Sequence, residues 1–145
     1  QQRRKDLTEV IAAHGIPYAA QAAPGHWKDL TRKVEKALQA DGPSFINVLS
    51  PCPLGWRYEP EETIQMARMA VETCFWPLYE VENSTYRINY RPKEKVPLRQ
   101  WMSTQGRFRH LTAPENSHLV DDNQRQVDEK WERLTRLSEL TRSVS

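Results

Sequence analysis

An α/β fold built on a parallel βαβ unit is what this sequence predicts, and three observations predict it. Two short apolar runs, Ile16 to Ala20 and Phe45 to Leu49, are bounded by Gly and Pro as buried strands are. Between them, His26 to Ala40 carries Trp27, Leu30, Val34, Ala37 and Leu38 at helical spacing, and Asp41-Gly42-Pro43 ends the run. A strand, a helix of about four turns and a second strand make a crossover whose strands run parallel with a right-handed connection. Asn47 is the one polar residue in the second run, and near-continuous apolarity is the mark of a parallel strand covered on both faces.

The remaining elements follow in order. The opening Gln1-Gln2-Arg3-Arg4-Lys5 has no initiating Met and runs straight into a helix, so the chain is expected to be a piece of a larger protein. Asp6-Leu7-Thr8-Glu9 has the spacing of a capping box, with Leu7, Val10 and Ile11 behind it and His14-Gly15 as the stop. Pro60, Glu61 and Glu62 form a proline-led acidic first turn for a helix whose stripe is Ile64, Ala67, Val71 and Cys74. Trp76 to Glu82 and Tyr86 to Tyr90 flank the turn-prone Asn83-Ser84 and predict a β-hairpin, an appendage to the sheet with Glu80 and Glu82 facing outward. Pro97 opens a short helix through Trp101 and Met102, which Gly106 releases. From Asp121 onward Gly and Pro vanish. Val127, Trp131, Leu134, Leu137, Leu140 and Val144 then mark an amphipathic helix long enough to need a partner surface, entered through a linker from Thr112 to Asn123. The domain expectation is an α/β portion over residues 1–75, a hairpin and helix extension over 76–115, and a terminal helix over 116–145.

Composition narrows the function. A chain of 145 residues, 38% hydrophobic and 28% charged, suits one soluble core-forming domain with extensions. The net charge of +2 comes from interspersed signs, which gives no reason to expect nucleic acid or an anionic membrane. No apolar run approaches the ~18 residues of a membrane span. With two cysteines, Cys52 and Cys74, a disulfide framework is not expected and a cytoplasmic setting is.

The residue that draws chemical attention is Cys52. It follows the second strand inside Ser50-Pro51-Cys52-Pro53, where two prolines fix φ on either side and stop the strand. In open α/β sheets, ligands collect beyond the carboxyl ends of the strands. Against this stands the plainer reading, since a free cysteine is usually a small buried hydrophobe. His14, His26, His110 and His118 lie in separate segments, so no Cys-His pair follows from spacing. Four ligands are needed and no Cys-x-x-Cys is present, so metal binding by this chain alone is poorly supported. No Gly-x-Gly phosphate loop occurs either. Trp27 and Trp131 fall on apolar stripes and are expected in a core or interface, and Cys74 is expected to be packing.

Two longer stretches carry a resemblance. They are Gly42-Pro43-Ser44-Phe45-Ile46 running into Ser50-Pro51-Cys52-Pro53-Leu54-Gly55-Trp56, and Ala70-Val71-Glu72-Thr73-Cys74-Phe75-Trp76-Pro77-Leu78-Tyr79-Glu80-Val81-Glu82-Asn83. In these the chain resembles the carboxyl-terminal half of the β subunit of the 2-oxoacid:ferredoxin oxidoreductases, most closely the pyruvate type. The likeness extends from about Asp6 through Phe108, and nothing is carried over to the last helix.

The resemblance implies a thiamine-diphosphate fold, a subunit that binds the cofactor's diphosphate with Mg²⁺, and a proximal [4Fe-4S] cluster. Cys52 matches the fourth cysteine ligand of that cluster. The family's amino-terminal half supplies a Cys-x-x-Cys, a third cysteine and a Gly-Asp-Gly segment for Mg²⁺-diphosphate, and these residues do not contain them. The implied reaction is CoA-dependent oxidative decarboxylation of a 2-oxoacid, with electrons leaving through iron-sulfur centres to ferredoxin. The implied partners are α, γ and δ type subunits, ferredoxin, coenzyme A and the 2-oxoacid. Two rivals are a non-catalytic interaction module lacking the cofactor half, and a stand-alone thiol enzyme using Cys52.

Overall fold

The computed structural model describes residues 5–142, so the opening Gln1 to Arg4 and the apolar position Val144 lie outside the described residues. The architecture is α/β, with a four-stranded mixed sheet in the order β2-β1-β3-β4. Strand β1 (Tyr18–Ala22) pairs in parallel with β2 (Ser44–Val48), Tyr18 opposite Ser44 and Ala22 opposite Val48. The crossover between them is α2 (Trp27–Gln39), entered through a 3₁₀ turn at Pro24–His26, so the expected βαβ unit is present. β1 lies two residues further on than the apolar run suggests, because Pro17 cannot donate to a ladder.

The hairpin is more than an appendage. β3 (Tyr79–Glu82) runs antiparallel against β1 and β4 (Thr85–Ile88) against β3, which makes β1 an interior strand. Asn83 and Ser84 both have positive φ, 47° and 65°, as a two-residue hairpin turn requires.

Strand register assigns the side chains to two faces. Ala19, Gln21, Tyr79, Val81, Tyr86 and Ile88 share one face. α1 (Leu7–Ala12) and α7 (Ser117–Arg142) cover it, and Ala19, Tyr79, Val81 and Leu134 form its buried cluster. Asp6 caps α1 as the sequence predicts, its side chain accepting from the Glu9 backbone N–H. The linker expected from Thr112 to Asn123 is instead a short helix α6 (Arg109–Thr112), a 3₁₀ turn at Pro114–Asn116, and the first turns of α7. The surface that α7 needs is this chain's own: Val120, Val127 and Leu134 are buried.

The main core lies beyond the carboxyl end of β1. α4 (Thr63–Glu72) and α5 (Leu98–Ser103) contribute Met66, Ala67, Ala70, Val71, Leu98, Trp101 and Met102 to it. Trp76 closes the end of β1, its indole N–H donating to the Ala22 carbonyl at 2.8 Å.

The opposite face corrects two expectations. α2 does not bury its apolar stripe: Trp27 is 63% exposed, Val34 41% and Leu38 82%. What α2 turns toward the sheet is polar. Lys33 is buried, donating to the Gln21 carbonyl at 2.8 Å and to Asp29 at 2.6 Å. Lys36 reaches Glu80 at 2.8 Å, and the Tyr18 hydroxyl donates to the same carboxylate at 2.8 Å. Glu80 is therefore buried, whereas Glu82 is exposed as expected. The small side chains of Ala20 and Ala22 on this face leave room for long cations whose methylene stems pack while their charge is paired.

Candidate functional site

Cys52 stands four residues past the end of β2, at the edge of the sheet. Leu49 extends the ladder by one bond to the Ala22 carbonyl, and the chain then turns through buried Pro51. Cys52 becomes the N-cap of a single helical turn, α3 (Pro53–Trp56). The thiol is exposed, and its Sγ accepts from the Gly55 backbone N–H at 3.4 Å. A Cβ on Gly55 would sit 3.5 Å from that sulfur, ordinary contact, so the glycine leaves the sulfur uncrowded. Next to it Leu54 is 92% exposed.

The turn is anchored from behind. Trp56 packs edge-on against Trp101 at 5.9 Å, and Trp101 also meets Phe75 at 4.7 Å. Trp101 is itself held by an indole hydrogen bond to the Met66 carbonyl. Arg57 ends the turn in the left-handed conformation, φ 60°, and its carbonyl accepts from Gly106 N–H at 2.9 Å. A Cβ at Gly106 would fall 2.8 Å from the Arg57 Cβ, so only glycine permits this approach. Two flanking prolines and an aromatic clamp thus present one thiol outward on a stiff support.

Cys74 behaves differently. It is buried beyond the end of α4 with φ 57°, and burial pushes its thiol up to about 11. It stays protonated at neutral pH and lines a partly open pocket with Phe75, Trp101 and Tyr79. The packing role expected of it is the one observed, although it sits past the helix rather than on its stripe.

The histidines do not converge on Cys52. His14 Nδ1 lies 2.8 Å from the Val10 carbonyl, closing its own helix, and His26 packs on the Tyr90 ring at 5.0 Å. Among the described residues no group of three or more His, Cys, Asp or Glu could hold a metal ion. Cys52 fits as one thiolate ligand of a shared centre: it is exposed, stiffly held, and already receives an N–H bond at sulfur. Trp131 is half-buried against both hydrophobic clusters, in keeping with a core position.

Sequence reasoning passed over the residues that hold the turn from the other side. Gln105 is 1% exposed, donates to the Trp101 carbonyl at 2.9 Å, and accepts from Arg107 Nε at 2.8 Å. The Arg107 guanidinium lies 3.9 Å from the Trp56 ring centroid. The available signal was Gly106 beside an Arg-aromatic-Arg run, which spacing alone does not tie to residues fifty positions earlier.

No family model matches the chain. By sequence it is similar to proteins named as subunits of pyruvate synthase and of ketoisovalerate oxidoreductase. It is 47% identical over 131 residues to Pyruvate synthase subunit PorB of Methanocaldococcus jannaschii, an alignment covering 90% of this chain and 43% of that protein. To the subunit of the same name in Thermotoga maritima it is 44% identical, over 97% of this chain and 44% of the relative. To Ketoisovalerate oxidoreductase subunit VorB of Pyrococcus abyssi it is 41% identical, over 94% of this chain and 43% of the relative. The chain thus spans less than half the length of the curated relatives it matches. No helix among the described residues is long and apolar enough to cross a membrane.

Proposed function

We propose that this chain is the carboxyl-terminal half of a 2-oxoacid:ferredoxin oxidoreductase β subunit of the pyruvate type, and that Cys52 supplies one thiolate to a [4Fe-4S] cluster. The observation that carries the assignment to Cys52 is its placement: an exposed thiol on a braced turn beyond the end of a parallel edge strand. Such a cluster, when bound, passes one electron at a time. The task of this chain is to hold its ligand still. The Gly55 N–H is directed at the sulfur, Pro51 and Pro53 restrict the turn, and the Trp56–Trp101 contact keeps the turn from swinging toward solvent.

The other half supplies the remaining three thiolates and the residues for thiamine diphosphate and Mg²⁺. It covers the bare edge of β2 and the outward flank of α2, where Trp27, Val34 and Leu38 are exposed beside a parallel strand of the kind normally buried. The assembled protein carries out CoA-dependent oxidative decarboxylation of pyruvate in the cytoplasm, delivers electrons to ferredoxin, and works with further subunits of the complex.

The test is iron and acid-labile sulfide in the complete, anaerobically purified complex, native and Cys52→Ala. About four irons are expected at this cluster in the native protein, with loss or depletion in the variant while the subunits stay associated. Equal iron in both would remove Cys52 from the cluster.

A further inference from the structure

At the Arg57 end of the turn lies a shallow groove lined by Arg57, Gly106, Arg107, Arg109 and His110. Every side chain lining it is basic, and no carboxylate does so. We propose that this groove binds a phosphate-bearing anion.

Three features distinguish it from a solvated charged surface. The first is that one cation is fixed in advance: Arg107 is held at Nε by buried Gln105 and lies over two rings, Trp56 at 3.9 Å and Phe108 at 4.4 Å. A guanidinium whose plane is set before binding loses little entropy when it meets a phosphate. Second, among the described residues neither the Arg57 guanidinium nor the His110 imidazole has a hydrogen-bond or ion-pair partner, although both face the groove. Third, the charges come from two distant segments that are locked together. The Gly106 N–H to Arg57 carbonyl bond joins them, and the bare Cα of Gly106 forms part of the groove wall. Bringing three guanidinium groups together costs repulsion that a structural role does not repay, whereas guanidinium forks match phosphate oxygens bidentately.

The size of the groove selects the ligand. Five residues make a footprint far below the ~800 Å² per partner of a protein interface. A small polyanion fits, and an acidic protein surface does not. The phosphate is either free or the terminus of a nucleotide, and the chemistry of recognition is the same. Neither source requires a cluster at Cys52.

The test is calorimetric titration of the complete protein that carries this chain with inorganic phosphate, pyrophosphate and ADP. It is run at constant ionic strength in EDTA, which suppresses Mg²⁺-dependent diphosphate binding elsewhere. Pyrophosphate is expected to bind. Arg57→Ala or Arg109→Ala should weaken it about tenfold or more, while Arg32→Ala on exposed α2 should not. ADP binding at least as tightly as pyrophosphate, with the same variant losses, assigns a nucleotide-borne phosphate; pyrophosphate binding more tightly assigns the free anion. In the native protein, pyrophosphate should also shield Arg57 and Arg109 from phenylglyoxal, read by mass spectrometry, which does not depend on any variant folding. The proposal fails if none of the three anions binds, if all three variants bind alike, if no shielding occurs, or if polyglutamate binds where pyrophosphate does not.

Discussion

The two outer strands of the sheet meet opposite fates. β4 is an edge that the chain covers itself: α7 lies along it, the Tyr86 N–H donates to the Thr141 hydroxyl at 2.9 Å, and Arg91 sits over the Trp131 ring. β2 is an edge left open, with both end residues exposed and an apolar helix flank nearby facing outward. An open edge with apolar surroundings is a template for pairing with another chain. The difference separates an interior that this chain builds alone from a bare border, where Cys52 stands.

The largest effect should come from that interior. Trp101→Ala removes the ring on which Trp56, Phe75 and Phe108 converge and should cost about 3–5 kcal/mol, measured by urea unfolding. It should also loosen the Cys52 turn, seen as faster alkylation of Cys52. A cost under about 1 kcal/mol would mean that the clamp is not what holds the turn.

Lys33→Ala ranks next, because it leaves the Gln21 carbonyl and the Asp29 carboxylate without their buried donor. A loss of about 2–3 kcal/mol is expected, and Lys33→Met should recover the packing but not the hydrogen bonds. If Met restores full stability, the polar face of α2 is an accident of sequence rather than a support.

Acid should act through Glu80. Burial alone would raise this carboxyl, but the hydrogen bonds from Lys36 and Tyr18 outweigh it and hold it below the usual carboxylate range. A carboxyl whose folded value lies below its unfolded value of about 4.3 contributes stability that is complete above that pH and is lost as pH falls through the folded value. Urea midpoints followed from about pH 6 to pH 3 should drop more steeply in the native chain than in Glu80→Gln. Parallel curves would remove Glu80 from the acid response.

The smallest effect on this chain, and the sharpest for the comparison, is Leu38→Ser. At 82% exposure it should change the stability of the chain by no more than about 0.5 kcal/mol. In the complete protein it should cost more than about 1.5 kcal/mol, the amount expected for a buried leucine. Equal small effects in both would mean that α2 faces water in the assembly as well.

Much of this molecule was legible before its structure. The capping box at Asp6, the parallel crossover, the Asn83-Ser84 turn and the stop at Pro51-Cys52-Pro53 all depend on neighbours within a few residues, where spacing and local chemistry decide. α2 shows where that reasoning turns over. Its apolar periodicity is correct as a helix signal and wrong as a guide to the buried side, because periodicity finds a face without saying what lies against it. Glu80 misled for the same reason: alternation along β3 is blind to a lysine on α2 and a tyrosine on β1. At the site, the local sequence marked Cys52 through its prolines but could not reveal that Gln105, Gly106 and Arg107 brace the same turn.

The βαβ crossover, the α/β class and the thiol at the strand end can be read locally, because each rests on φ restriction, hydrogen-bond spacing or hydrophobic period within a short window. Which face of α2 is buried, which edge of the sheet stays bare, and that basic residues fifty positions apart share one groove emerge from the three-dimensional packing alone. Those outcomes depend on distant segments meeting, and the energy that selects them is the burial and pairing of groups that no local window contains.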